Sequence, residues 1–198
     1  KTCRPNGSLE ENGCGKMNDF TKQALHEIKK LGATHIWYTG LIAHASQTDY
    51  TAYGIPKNHP SIVKGKAGSP YAIRDYYDID PDLVEHVDKR MEEFEHLVTR
   101  SHECGLKVIM DFVPNHVARQ YHSLAKPAGV KDLGENDDCS QDFNPQNNFY
   151  YIPGQKLAGE IDLYDPEQGN YEEMPAKATG NDRFDAWPNR NDWYETIK

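Results

Sequence analysis

What this sequence lacks narrows the field first. No apolar run approaches the roughly 18 to 20 residues of a membrane-spanning helix. The opening Lys1-Thr2-Cys3-Arg4-Pro5 does not read as a signal peptide. Basic charge is scarce: 22 Lys and Arg stand against 31 Asp and Glu, a net charge of -9 that is spread along the chain. Neither a cationic stripe nor a cationic tail exists, so no electrostatic footprint for nucleic acid or an anionic membrane appears, and the expected ligand is neutral. Internal repeats and low-complexity tracts are also missing.

Cysteine is sparse as well. Cys3, Cys14, Cys104 and Cys139 never fall at C-x-x-C spacing, which argues against a zinc ribbon or a dithiol redox motif. Cys104, late in a predicted helix, reads as a free core thiol. Cys3 and Cys14 bracket a short Gly-rich loop and could pair in an oxidising compartment. Cysteine usage alone does not settle that compartment.

What is present is aromatic and periodic. With 198 residues, 3 Trp, 12 Tyr and 6 Phe, the chain can build one domain, with or without a small appendage, and disorder is not expected. A helix is predicted after an Asn18 or Asp19 cap, with Phe20, Ala24, Leu25 and Ile28 on one face and a stop at Gly32. Residues 33–39 (ATHIWYT) read as a short buried strand with Trp37 in the core, and Gly40 closes it. A second helix is predicted from an Asp88 cap to about Cys104, with Met91, Phe94, Leu97 and Val98 inward, and Gly105 stops it. Leu106 to Met110 then form a buried strand that opens into Asp111-Phe112-Val113-Pro114-Asn115-His116. The polar end of such a strand is where parallel α/β architectures keep their chemistry.

Two stretches do not follow this alternation. Residues 41–87 show little periodicity and much Gly, Pro, Ser, Asn and Tyr, and read as a long binding loop. Residues 117–198 carry Asn, Asp, Gly and Pro clusters without a long helix, and read as a loop-rich insertion with short strands near 148–152 and 159–164. Helix, strand, loop, helix and strand together imply an α/β fold with a parallel sheet.

The residues LGATHIWYTG (31–40), SPYAIRDYYDIDP (69–81) and MEEFEHLVTRSHECGLKVIMDFVPNH (91–116) resemble the N-terminal third of an α-amylase-family glycoside hydrolase. Their order is similar to that family's second strand, Tyr…Asp-Tyr loop, second helix and third strand with its D-x-x-x-N-H signature. The resemblance implies a partial (β/α)8 barrel over residues 1–116 and a B-domain-like insertion over 117–198. It also implies that the nucleophile, the acid/base Glu and the stabilising Asp lie on later strands; no G-F-R-x-D-type segment occurs here, and Asn181-Asp182-Arg183-Phe184-Asp185 has the wrong order. The chain is therefore expected to be part of a longer enzyme and inactive alone, its partner the remainder of the same polypeptide. A periplasmic or extracellular setting is favoured over the cytoplasm.

By the same resemblance His116 hydrogen-bonds a sugar hydroxyl, unless it only satisfies loop carbonyls; a neutral imidazole can donate and accept toward a polyol. Tyr71 would stack on a sugar's C–H face, or pack its own loop. Asn115 would supply an oxygen to a structural Ca²⁺, which needs six to eight oxygens, with Asp137, Asp138, Asp142, Asp162 and Asp165 as available carboxylates; otherwise it caps the turn. Asp111 reads as a buried ion-pair partner of an Arg that these residues lack, rather than a catalytic acid, and Asp75 with Tyr76 as scaffold for the Tyr71 loop. His44, Tyr50, Tyr53, His59, Tyr121 and His122 could line the groove, and Trp187 and Trp193 could be core or platform.

The function expected is that of a retaining α-glucan hydrolase acting on starch and maltooligosaccharide α-1,4 linkages. A non-catalytic carbohydrate-binding or interaction module is the alternative, and a small metal-dependent hydrolase using Asp111, His116 and His122 is a third reading.

Overall fold

A computed structural model describes residues 12–13, 15–157, 164–179 and 195–197. The first helix, α1 (Lys22–Lys30), is capped by Thr21, whose extended backbone lets its hydroxyl accept from Ala24 N at 3.2 Å. The predicted caps are displaced: Asn18 and Asp19 belong to a preceding 3-10 turn, Met17–Asp19. Leu25, fully buried on α1, meets Cys104 and Leu106, so Cys104 is the buried free thiol that its helical position implied.

The second helix, α2 (Arg90–Glu103), begins one residue later than the sequence suggests, because Asp88 sits in the 3-10 turn Val87–Lys89 and Lys89 takes the cap position. Its inward face carries Leu97 and Ser101, both fully buried, and Glu93. Met91, expected inward, is 40% exposed. The Glu93 carboxylate holds the incoming chain by accepting from Glu85 N at 3.0 Å and His86 N at 2.7 Å. A charge inside the helix–sheet contact is tolerable when backbone N–H groups meet it.

Strands β1 (His35–Tyr38) and β4 (Lys107–Met110) pair in parallel, His35 opposite Lys107 and Tyr38 opposite Met110. Alternation sends Ile36, Tyr38 and Val108 toward the helices, where they join Leu97, Phe94 and Phe20. The other face is open. Trp37 is 63% exposed and Ile109 43%, so neither strand is buried on both sides as expected, and Trp37 is not a core residue. The cause is that β1 and β4 form a two-stranded unit with helices on one face and no described residues covering the second.

The stretch expected to be a loop contains two strands. Between β1 and α2, β2 (Ile42–His44) pairs antiparallel with β3 (Ile73–Ile79), with register shifts after Ile42 and Ala43. This antiparallel pair is a sheet of its own, separate from the parallel β1–β4 pair. In β3, Asp75 and Asp78 are buried charges that hide the strand from a hydropathy reading. Asp78 is tolerated because Arg90 grips it through both carboxylate oxygens at 2.6 and 2.7 Å.

Beyond His116 the elements are short antiparallel pairs: β5 (His116–Ala118) with β8 (Glu195–Ile197), and β6 (Tyr151–Ile152) with β7 (Ala176–Lys177). The strand expected near 148–152 is β6; residues 159–163 of the other lie outside the described residues. These pairs are tied by Arg119, whose fully buried guanidinium donates to Glu173 at 2.6 Å, while Glu173 also accepts from Lys177 N.

Candidate functional site

The end of β4 is anchored by Asp111 N donating to Tyr38 O at 3.1 Å, which carries the chain off the sheet into Phe112–Asn115 and back as β5. Under this loop lies Tyr76 of β3. Its hydroxyl donates to Val113 O and, at 3.3 Å, to His116 O, and its ring packs against Phe112 and Tyr121 at centroid distances of 5.5 and 5.7 Å. Burial raises the Tyr76 phenol above its ordinary value, so it stays a proton donor to those carbonyls. Tyr76 thereby sets the height and direction of Asn115 and His116.

Asn115 Nδ2 stands 3.1 Å from His116 Nδ1. Both line a cavity of about 300 Å³ with Tyr76, Phe112, Asn148 and Phe149. None of the side chains on this wall is a carboxylate. Apolar ring surface and neutral hydrogen-bonding groups together suit a ligand with alternating C–H faces and hydroxyls.

Asp75 is 1% exposed and its carboxylate accepts from Tyr77 N, Ser123 Oγ, Leu124 N and Ala125 N. It is a clamp between β3 and the chain after β5. Tyr71, 52% exposed, stands at the end of a tight turn, its N–H toward Ser69 Oγ at 3.3 Å. Gly68 sets that turn: φ is +77°, and a Cβ there would meet Ala45 O at 1.8 Å. Asp111 is half-buried, and no described cation comes within ion-pair distance of its carboxylate.

Several residues expected in the groove are occupied elsewhere. His59 is 1% exposed, its Nε2 2.9 Å from Gly169 O. The Tyr50 hydroxyl donates to Asp82 at 2.6 Å. His122 pairs with Asp132 at 2.9 Å, and Tyr121 packs on Tyr76. His44 Nδ1 lies 2.7 Å from Asp80 Oδ2 but is not aimed along a hydrogen-bond direction, so that attraction is chiefly between charges. Trp187 and Trp193 lie outside the described residues.

The metal readings separate at this point. Among the described residues, His44, Asp80 and Asp82 are the group of His, Cys, Asp or Glu whose ligand atoms lie close enough to share an ion. Asp111, His116 and His122 do not come together in this way. Around Asn115, which is exposed, no comparable set gathers: Asp137 accepts from Asn148 N, Phe149 N and Tyr151 OH, Asp138 closes its own turn with Ser140, and Asp165 does so with Glu167 and Gln168. Asp162 lies outside the described residues. The described groups thus do not fit a calcium cage of six to eight oxygens.

Sequence reasoning missed Ser123 and Phe149. Phe149 had no signal, because only the packing of Val117, Phe149 and Tyr151 around Tyr76 brings it to the site.

The family model described as "Alpha amylase, catalytic domain" matches residues 8–194. Maltase A1 of Drosophila melanogaster is 28% identical over 114 residues, 58% of this chain and 15% of that protein. Trehalose-6-phosphate hydrolase of Bacillus subtilis is 31% identical over 110 residues, 56% of this chain and 15% of that protein. The human amino acid transporter heavy chain SLC3A1 is 39% identical over 91 residues, 42% of this chain and 13% of that protein. Among solved structures, an α-amylase from Lactobacillus plantarum is 29% identical with a TM-score of 0.41, over 55% of this chain and 21% of that one. The matched region is thus a small part of each relative's length. The unit β1–α2–β4 is a section of a (β/α)8 barrel, and the chain belongs to the α-amylase family of glycoside hydrolases.

Proposed function

We propose that this chain builds part of the sugar-binding wall of a retaining α-glucan hydrolase that acts on α-1,4 linkages of starch-derived oligosaccharides. The observation that carries this reading is the cavity at the end of β4, where Asn115 and half-buried His116 meet Tyr76, Phe112 and Phe149. A neutral imidazole and an amide exchange hydrogen bonds with hydroxyls, and the rings cover the sugar's C–H faces. Family membership supports the hydrolase class, and the maltase among the relatives supports an α-glucoside substrate.

Retaining hydrolysis requires two carboxyl groups about 5 to 5.5 Å apart, one as nucleophile and one as acid/base. The cavity wall carries none. We therefore place those carboxylates on further polypeptide of the same enzyme, in a periplasmic or extracellular setting, with residues 117–198 as its B-domain-like insertion. Incubated with maltooligosaccharides, the 198-residue chain should release no new reducing ends, yet show weak saturable binding that His116→Ala abolishes. Appreciable turnover would sink the placement of the carboxylates outside these residues.

A second reading is a binding or interaction module that keeps the groove without the chemistry. The carboxylate-free wall supports it, as does the likeness to a transporter heavy chain. The intact mass of the protein from its source separates the two: a longer product favours the hydrolase, a 198-residue product the module.

A further inference from the structure

A second cavity, of about 400 Å³, lies between the 51–58 segment, β3, residues 120–122 and the 167–168 turn. We infer that it is a binding site for a small oxyanion, a carboxylate or phosphate group, held by the guanidinium of Arg74 and distinct from the cavity at Asn115 and His116.

Arg74 is 8% exposed and lines this cavity. Its guanidinium has five N–H donors. Among the described residues one bond is made, from Arg74 NH1 to Pro56 O at 3.1 Å. No described carboxylate lies within ion-pair distance. The neighbouring acids are committed: Asp75 to four donors, Asp78 to Arg90 and Asp80 to His44. Their charges offset part of the cost of burying Arg74 at a distance, but none lends it an oxygen. The donors of this guanidinium that make no bond to a described residue open onto the cavity.

The rest of the wall is polar, and its one carboxylate among the described residues, Glu167, faces Lys57. Asn58 and Gln120 bring amide groups to the wall. Lys57 also lines the cavity, its Nζ paired with Glu167 at 3.3 Å and 3.8 Å from Asp49. A planar fork beside amides, with a second cation on the wall, is the arrangement that recognises the oxygens of carboxylates and phosphates. The volume leaves room for the group that carries the anion. Because the walls come from both the barrel section and the chain beyond β5, occupancy would lock the two together and raise stability by mass action.

The test uses the full 198-residue chain. Sodium phosphate and sodium acetate are titrated by calorimetry and by thermal midpoint, with sodium chloride at matched ionic strength as control. Saturable binding with a rise in midpoint is expected for at least one, and the stronger of the two arms identifies phosphate or carboxylate as the preferred group. Arg74→Gln should weaken binding about tenfold or more. Lys57→Gln, at a half-buried position, should weaken it about threefold. His116→Ala should leave it unchanged, which separates this site from the sugar wall. No saturable effect of either anion on the wild-type chain overturns the inference, as does binding that Lys57→Gln and a folded Arg74→Gln both leave intact. Competition by maltose for the same signal also overturns it, in favour of a neutral sugar.

Discussion

Ser123 Oγ donates to Asp75 Oδ1 at 2.6 Å, joining positions 48 residues apart. The other oxygen of the same carboxylate takes the N–H groups of Leu124 and Ala125, so one side chain of β3 orders the turn that follows β5. Removing it leaves several buried donors without an acceptor, at about 1 to 3 kcal/mol each. Asp75→Ala is expected to lower the unfolding free energy by about 3 to 5 kcal/mol. Ser123→Ala, which removes a donor and leaves the acceptor with other partners, should cost about 1 kcal/mol. Urea unfolding of both variants checks the order; equal losses would contradict it.

Gly68 combines a positive φ with a backbone oxygen where a Cβ would stand. Gly68→Ala must therefore strain the turn and push the 65–70 loop off Ala45, at a cost of about 1 to 3 kcal/mol or more. Because this turn leads into Tyr71, the variant should also lose sugar binding. A variant as stable as the parent would refute the close approach.

Tyr71→Ala tests a different property. With half of its surface already exposed, Tyr71 contributes little to folding, and the thermal midpoint should hold. Use of maltooligosaccharides by the complete enzyme should fall by roughly 1 to 3 kcal/mol of binding energy, the scale of a buried aromatic face. Unchanged kinetics would retire Tyr71 as a sugar platform.

His44 supplies a pH dependence. Burial alone would lower its pKa, but the close approach of the Asp80 carboxylate, the Ala67 carbonyl and the Asp82 charge outweigh burial and hold the imidazole above its ordinary 6.5. A folded-state value above the unfolded one means that the protonated form favours folding. The contribution is complete below about pH 6.5 and is lost as pH rises through the folded value. The thermal midpoint should fall as pH is raised across that window, and His44→Gln should flatten this part of the profile. A midpoint that rises across it would contradict the His44–Asp80 coupling.

Locally encoded features were legible before folding. The 3.6-residue period of Leu25 and Ile28, and of Phe94 and Leu97, marks α1 and α2, while Gly32 and Gly105 stop them with positive φ. The signature from Asp111 to His116 marked the end of β4, where the cavity lined by Asn115 and His116 lies. Less legible was β3, because Ile73–Ile79 carries Asp75 and Asp78, whose burial depends on Ser123 and Arg90 from other parts of the chain. Thr21 and Asp19 both carry an oxygen suited to a cap, and only the backbone path decides between them.

The sequence by itself therefore determined the family, the helices and the β1–β4 strand ends, since these follow from periodicity, stop signals and motif order along a few turns of chain. Tertiary structure alone decided which charges are buried, which histidines leave the groove, and that Trp37 faces outward. Those outcomes depend on donors, cations and covering surfaces supplied by residues tens of positions away, and no local pattern specifies them.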